Sequence, residues 1–126
     1  MKIYITCPFS HSRKRLGILS LVEKIVKSKG FEVIVPKIGG TPKEIFERDY
    51  KWIKSSDLII AEVSELSHGV GMEIGLSYCL GLKRILLLEK GNKVTKFAHG
   101  MPDTYIIEYN NIKDLEEKLS ELLKKI

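Results

Sequence analysis

The chain has 126 residues, 44% of them hydrophobic, with 21 Lys+Arg against 16 Asp+Glu and a formal charge of +5. That length predicts one domain of ordinary size, 1–126, and that composition excludes a disordered chain. No apolar run nears the ~20 residues that span a bilayer, so no membrane partner is expected. The start, one early Lys and a short apolar stretch before Cys7-Pro8, is not that of a secretory signal. The basic excess is mostly scattered Lys, with no block and no aromatic-interleaved stripe. Nucleic acid is therefore not an expected partner. Abundant Lys and Glu with no Gln is the composition of a heat-adapted protein. Cys7 and Cys79 form neither a disulfide framework nor a zinc pattern, and read as thiols in a reducing cytoplasm.

Hydrophobic periodicity predicts strands alternating with helices. Lys2 to Thr6 reads as the first strand. Arg13 to Lys29 carries apolar residues at helical spacing and stops at Gly30. Phe31 to Val35, ended by Pro36, is the second strand. Thr41-Pro42, with Glu44 close behind, starts a helix that runs to about Ser55. Asp57 to Val63 is a nearly continuous apolar strand, as in a sheet buried on both faces. Ser64 to His68 reads as a loop, and about Val70 to Leu80 as a helix stopped by Gly81. Arg84 to Leu88 is the fourth strand. Glu89 to Asp103 reads as a long polar connection, Thr104 to Glu108 as the fifth strand, and Asn111 to Ile126 as a closing amphipathic helix. This order predicts an α/β domain: one doubly wound, five-stranded parallel sheet in a flavodoxin-like or Rossmann-like three-layer sandwich. Ligands of such sheets sit beyond the carboxyl ends of the strands, near the switch point in strand order. The loops to inspect are Cys7–Ser12, Pro36–Thr41, Ser64–Gly71 and Glu89–Gly100.

The most informative stretch is Ser67-His68-Gly69-Val70-Gly71-Met72-Glu73-Ile74-Gly75. Glycines allow close backbone approach, and a helix start offers free N–H groups with Ser67 as a side-chain donor. It is not a dinucleotide fingerprint, because it follows the third strand and its glycines are spaced differently. Asp49 and Trp52 share a face of the preceding helix. Trp52 is equally a core anchor, Asp49 a solvated charge and Tyr4 a core aromatic. If Glu73 and Asp49 converge, one carboxylate can trap an oxocarbenium-like carbon while an acid protonates the leaving group, with a nearby phenol as orienter.

Asp57 to Ser64, then His68 to Gly75, with Asp49-x-x-Trp52 on the helix before, resembles the nucleoside 2-deoxyribosyltransferase superfamily. Within it, the resemblance is closest to the 2'-deoxynucleoside 5'-phosphate N-hydrolases, and it runs from Lys2 to about Gly100. The resemblance implies a glycosidase that hydrolyses the base–deoxyribose bond of 2'-deoxynucleoside 5'-monophosphates, a step in deoxyribonucleotide catabolism. It implies Glu73 as nucleophile, Asp49 as the second carboxylate that protonates or positions the base, and Tyr4 as orienter of Glu73. It further implies that Ser67, Gly69 and Gly71 hold the sugar and 5'-phosphate. Thr95 matches a Ser that reaches into a partner subunit's site, which implies a homodimer with shared sites. Thr6, Cys7, Pro8, Phe9, Ser10, His11 and Ser12 are the remaining expected substrate contacts. This loop lacks the family's paired glycines, so its hydroxyls, His11 and Arg13 would supply phosphate donors in another geometry. No metal or other cofactor is expected, since glycosyl transfer through a carboxylate needs none.

Alternatives are a deoxyribosyltransferase, a TIR-like NAD hydrolase and a nucleotide-binding module without turnover. His68 is read either as a substrate contact or as an exposed loop residue, and His99 either as the counterpart of an interface Arg or likewise. A length of 126 residues leaves no room for a second, substrate-specifying domain. Part of the pocket is then expected from a partner chain.

Overall fold

A computed structural model describes residues 1–8 and 13–126, with the side chains of Arg13 and Lys14 excepted. The expectations for Phe9, Ser10, His11, Ser12 and the Arg13 side chain therefore lie outside the described residues. The elements are β1 (Lys2–Thr6), α1 (Arg13–Ser28), β2 (Glu32–Ile34), α2 (Pro42–Lys54), β3 (Leu58–Glu62), α3 (His68–Cys79), β4 (Lys83–Glu89), α4 (Lys96–His99), β5 (Thr104–Tyr109) and α5 (Ile112–Lys125). All five strands pair in parallel in the order β2-β1-β3-β4-β5. The order reverses between β1 and β3, so the switch point is there. The expected doubly wound sandwich is the fold.

Strand periodicity divides the core. Ile3 and Ile5 of β1, with Leu58 and Ile60 of β3, face a cluster that includes Ile18, Val22 and Val26 of α1 and Leu115, Leu119 and Leu123 of α5. Tyr4 and Ile59 face the other way, against Ile53 of α2 and Leu82. Ala61 on that same face packs with Val70 of α3, Leu86 and Ala98. The residues two beyond Tyr4 and two beyond Ile60 continue these faces. Thr6 is thereby directed toward α3, and Glu62 toward α1.

Three expectations need correction. The second strand is Glu32–Ile34, shorter than Phe31–Val35, because this edge strand finds a partner only along Lys2, Ile3 and Tyr4. The third helix starts at His68, earlier than about Val70, because Ser67 caps it by accepting the Val70 N–H at 3.3 Å. The Glu89–Asp103 connection is not wholly irregular. Thr95 accepts the Phe97 N–H at 3.2 Å and caps the short helix α4.

Candidate active site

At the switch point, one carboxylate is held from two strand positions. The Tyr4 hydroxyl donates to Glu73 Oε2, and Thr6 Oγ1 donates to Glu73 Oε1 at 2.9 Å. Alternation along β1 puts both donors on the α3 side, and the sixth position of α3 delivers Glu73 to them. Among the described residues no cation lies within ion-pair distance of Glu73. Burial therefore dominates its titration and pushes the carboxyl up to about 7, with the charge of Asp49 adding to the rise. The hydrogen bonds from Tyr4 and Thr6 act in the opposite direction and do not cancel it. Burial, and then Glu73 itself, push the Tyr4 phenol far above its ordinary range, so Tyr4 serves as a proton-bearing donor.

Glu73 opens into a hollow of about 540 Å³, a size suited to a small molecule. Cys7, Ser67, Gly69 and Asp49 line it with Glu73. Burial, then the nearby Glu62 and Glu73, push the Cys7 thiol up to about 12, so Cys7 is a wall and not a nucleophile. The rest of the lining is largely apolar: Ile45, Phe46 and Tyr50 from α2 and Met72 and Leu76 from α3, with the Phe46 and Tyr50 rings stacked at 5.7 Å. The flat-ring character of this lining suits a heterocycle. Sequence reasoning missed it, although residues 45, 46, 49, 50 and 53 mark one helix face.

The structure separates other expected residues from this hollow. Gly71 and Thr95 line a second hollow of about 220 Å³ on the α4 side, with Leu66, Val94 and Phe97. Pro8 is buried and does not line the Glu73 hollow. Thr6 bonds Glu73 directly, so its expected role as a substrate contact becomes one of holding the carboxylate. Trp52 packs against the cluster around Tyr4 and is the anchor that one of its two readings described. His68 and His99 are exposed and line neither hollow. Gly69, Gly71 and Gly75 all lie within α3, and in its interior Gly75 costs about 1 kcal/mol against Ala. A Cβ at Gly71 or Gly75 would meet nothing within 4 Å, so packing does not demand them, and their smallness widens the hollows they line.

Glu73, held by a phenol and desolvated, thus shares an aromatic-lined hollow with a second carboxylate, Asp49. The comparisons give the family. The chain belongs to the nucleoside 2-deoxyribosyltransferase family, whose model matches residues 3–114. A relative from Thermofilum pendens, provisionally named 2'-deoxynucleoside 5'-phosphate N-hydrolase 1, is 28% identical over 136 aligned residues, covering 98% of this chain and 95% of the relative. Among solved structures, a CMP N-glycosidase of Clostridium botulinum superposes with a TM-score of 0.74 at 27% identity, covering 94% of this chain and 98% of that one. A 2-deoxyribosyltransferase of Bacillus psychrosaccharolyticus superposes with a TM-score of 0.71 at 23% identity, over 92% and 90% of the two chains, a likeness of fold.

Proposed function

We propose that the chain, as a single domain, hydrolyses the base–deoxyribose bond of 2'-deoxynucleoside 5'-monophosphates through a covalent ester on Glu73. The observation that carries this reading is the Glu73 carboxylate, gripped by Tyr4 and Thr6 and aimed into the hollow that Asp49 also lines. In the first step a Glu73 oxygen attacks C1' of the sugar. The bond from C1' to the base nitrogen breaks, its electron pair leaves with the base, and the base takes a proton with the help of Asp49. In the second step water attacks C1', the ester oxygen leaves as the Glu73 carboxylate, and the water's proton is released. Ser67 and Gly69, at the start of α3, border the hollow and suit the sugar and 5'-phosphate. The name of the Thermofilum relative supports a deoxynucleotide substrate, and the Clostridium protein supports a monophosphate.

The second hollow supports a homodimer. Leu66 is 90% exposed and Phe97 81%, beside Thr95, a surface that a second copy would cover while Thr95 reaches the partner's site. A cytoplasmic, heat-adapted enzyme fits the composition.

The test is to incubate the protein with each dNMP, its nucleoside, its ribonucleotide and NAD, and to follow free base by chromatography. Base release is expected from dNMPs first. Base from no substrate, with folded protein, overturns the reading, and nicotinamide from NAD alone redirects it. Transfer of the sugar to an added second base makes the protein a transferase. Sedimentation at micromolar concentration decides the dimer.

A further inference from the structure

The loop from Pro36 to Thr41 leads into Pro42, which lines the Glu73 hollow, and the proposed reaction does not use it. Its carbonyls point to one guanidinium. Arg48 Nη2 donates to the Lys37 carbonyl at 2.7 Å, Nη1 to the Gly39 carbonyl at 3.1 Å, and Nε to Asp49 Oδ1 at 3.4 Å. All three nitrogens of the fork are engaged, and the guanidinium also lies 5.6 Å from the centre of the Trp52 ring. The loop is shaped for this. Gly39 and Gly40 take φ of +105° and +114°, which L side chains rarely adopt, and a Cβ at Gly40 would meet the side chains of Glu44 and Ile45. Thr41 then closes the loop onto α2 with a reciprocal capping box to Glu44.

A lone surface ion pair contributes little. Here one planar cation joins the loop, the helix and a carboxylate that lines the hollow. We infer that Arg48 is a positioning residue: it clasps the 37–40 turn to α2 and thereby fixes the Asp49 carboxylate at the leaving-group side of the site. The inference rests on the proposed role of Asp49 but adds a residue that none of the sequence motifs includes. Lysine cannot replace this fork, because one ammonium nitrogen cannot span two carbonyls and a carboxylate in that geometry.

The test is a double-mutant cycle on base release with Arg48→Met and Asp49→Asn, together with Arg48→Lys. Arg48→Met alone is expected to lower kcat by about tenfold to thirtyfold, and by less than about threefold in the Asp49→Asn background. Arg48→Lys is expected to track Arg48→Met. Equal losses in both backgrounds, or full activity in Arg48→Lys, overturn the inference. Without substrate, the Arg48 Nε–H resonance is expected to exchange slowly and to move in Asp49→Asn. A resonance that exchanges like a free arginine and ignores Asp49→Asn also overturns it. If wild-type protein releases no base, the functional reading fails, and this resonance alone decides the clasp.

Discussion

Two carboxylates at the carboxyl end of the sheet are each met by a tyrosine hydroxyl, on opposite faces. Glu73 receives Tyr4 and Thr6 on the α2–α3 face. Glu62, at the end of β3, receives Tyr109 and the Ser64 N–H, the latter at 2.5 Å. The difference is the counter-charge. Arg15 Nη1 lies 3.8 Å from Glu62 Oε2, and the same guanidinium reaches Glu65 at 2.5 Å and Glu89 at 3.7 Å. Glu62 is buried and lines neither hollow at the strand ends, whereas Glu73 has no such cation among the described residues and faces open space. A hydrogen-bonded carboxylate with a buried cation is a structural tie. One with donors only, facing a hollow, keeps its lone pairs for a substrate.

The largest effect should come from removing the open carboxylate. Glu73→Ala is expected to lower base release by more than about 10⁴-fold, because the group proposed to form the covalent ester is gone. Activity near wild type, measured by chromatography over days, would reject Glu73 as the nucleophile. The closed carboxylate should fail differently. Arg15→Met leaves Glu62 buried without its cation and is expected to cost about 3–5 kcal/mol of stability, seen as a lowered Tm, while the folded fraction still releases base. An unchanged Tm would mean that the two faces do not differ as argued.

The same contrast has a stabilising side. Folding raises the Glu73 carboxyl from its ordinary value of 4.5 to about 7. The folded state therefore holds the proton more tightly than the unfolded chain. The benefit is complete below 4.5 and is lost as the pH rises through 7. At pH 8 the ionised, desolvated group costs up to about 3 kcal/mol by that linkage. Glu73→Gln removes the charge and gives up about 1 kcal/mol of acceptor bonding. It is expected to be more stable than wild type by about 2 kcal/mol at pH 8, and no more stable near pH 4. Denaturant midpoints at the two pH values measure this, and a variant less stable at pH 8 overturns the desolvation argument.

The open site was largely legible in the sequence. Strand period placed Tyr4 within β1, the Ser67–Gly75 stretch pointed to Glu73, and Asp49-x-x-Trp52 on the preceding helix pointed to Asp49, because each is a local pattern. What stayed hidden depends on pairing across the fold. Glu62 looked like part of a motif, and nothing local says that Arg15 and Tyr109, 47 residues away from it in each direction, will enclose it. Thr6 was expected to touch substrate, and its bond to a carboxylate 67 positions on depends on how α3 packs on β1. Gly71 was grouped with Gly69, yet the helix starts at His68 and turns the two toward different hollows. The start of α3 was misjudged because two early glycines disguise a helix that Ser67 caps.

The smallest effect concerns the tyrosine hydroxyl that each carboxylate receives, Tyr4 on Glu73 and Tyr109 on Glu62. On the open face, the Tyr4 hydroxyl bonds the ionised form of Glu73 and so lowers its titration against the pull of burial. Tyr4→Phe removes that bond and leaves the ring's packing against Ile53 and Ile59 in place. Glu73 must then titrate higher still. If ionised Glu73 is the attacking group, the rate rises with pH through about 7 in wild type, and that limb moves to higher pH in Tyr4→Phe, by about one unit for a bond of this kind. The loss is therefore larger at pH 6 than at pH 9. On the closed face Glu62 lies beside Arg15 and lines neither hollow, so Tyr109→Phe is expected to lower Tm without moving the limb. A pH–rate profile of both variants separates the cases: a limb that moves with Tyr109 and not with Tyr4 would mean that the reactive carboxylate lies on the other side of the sheet.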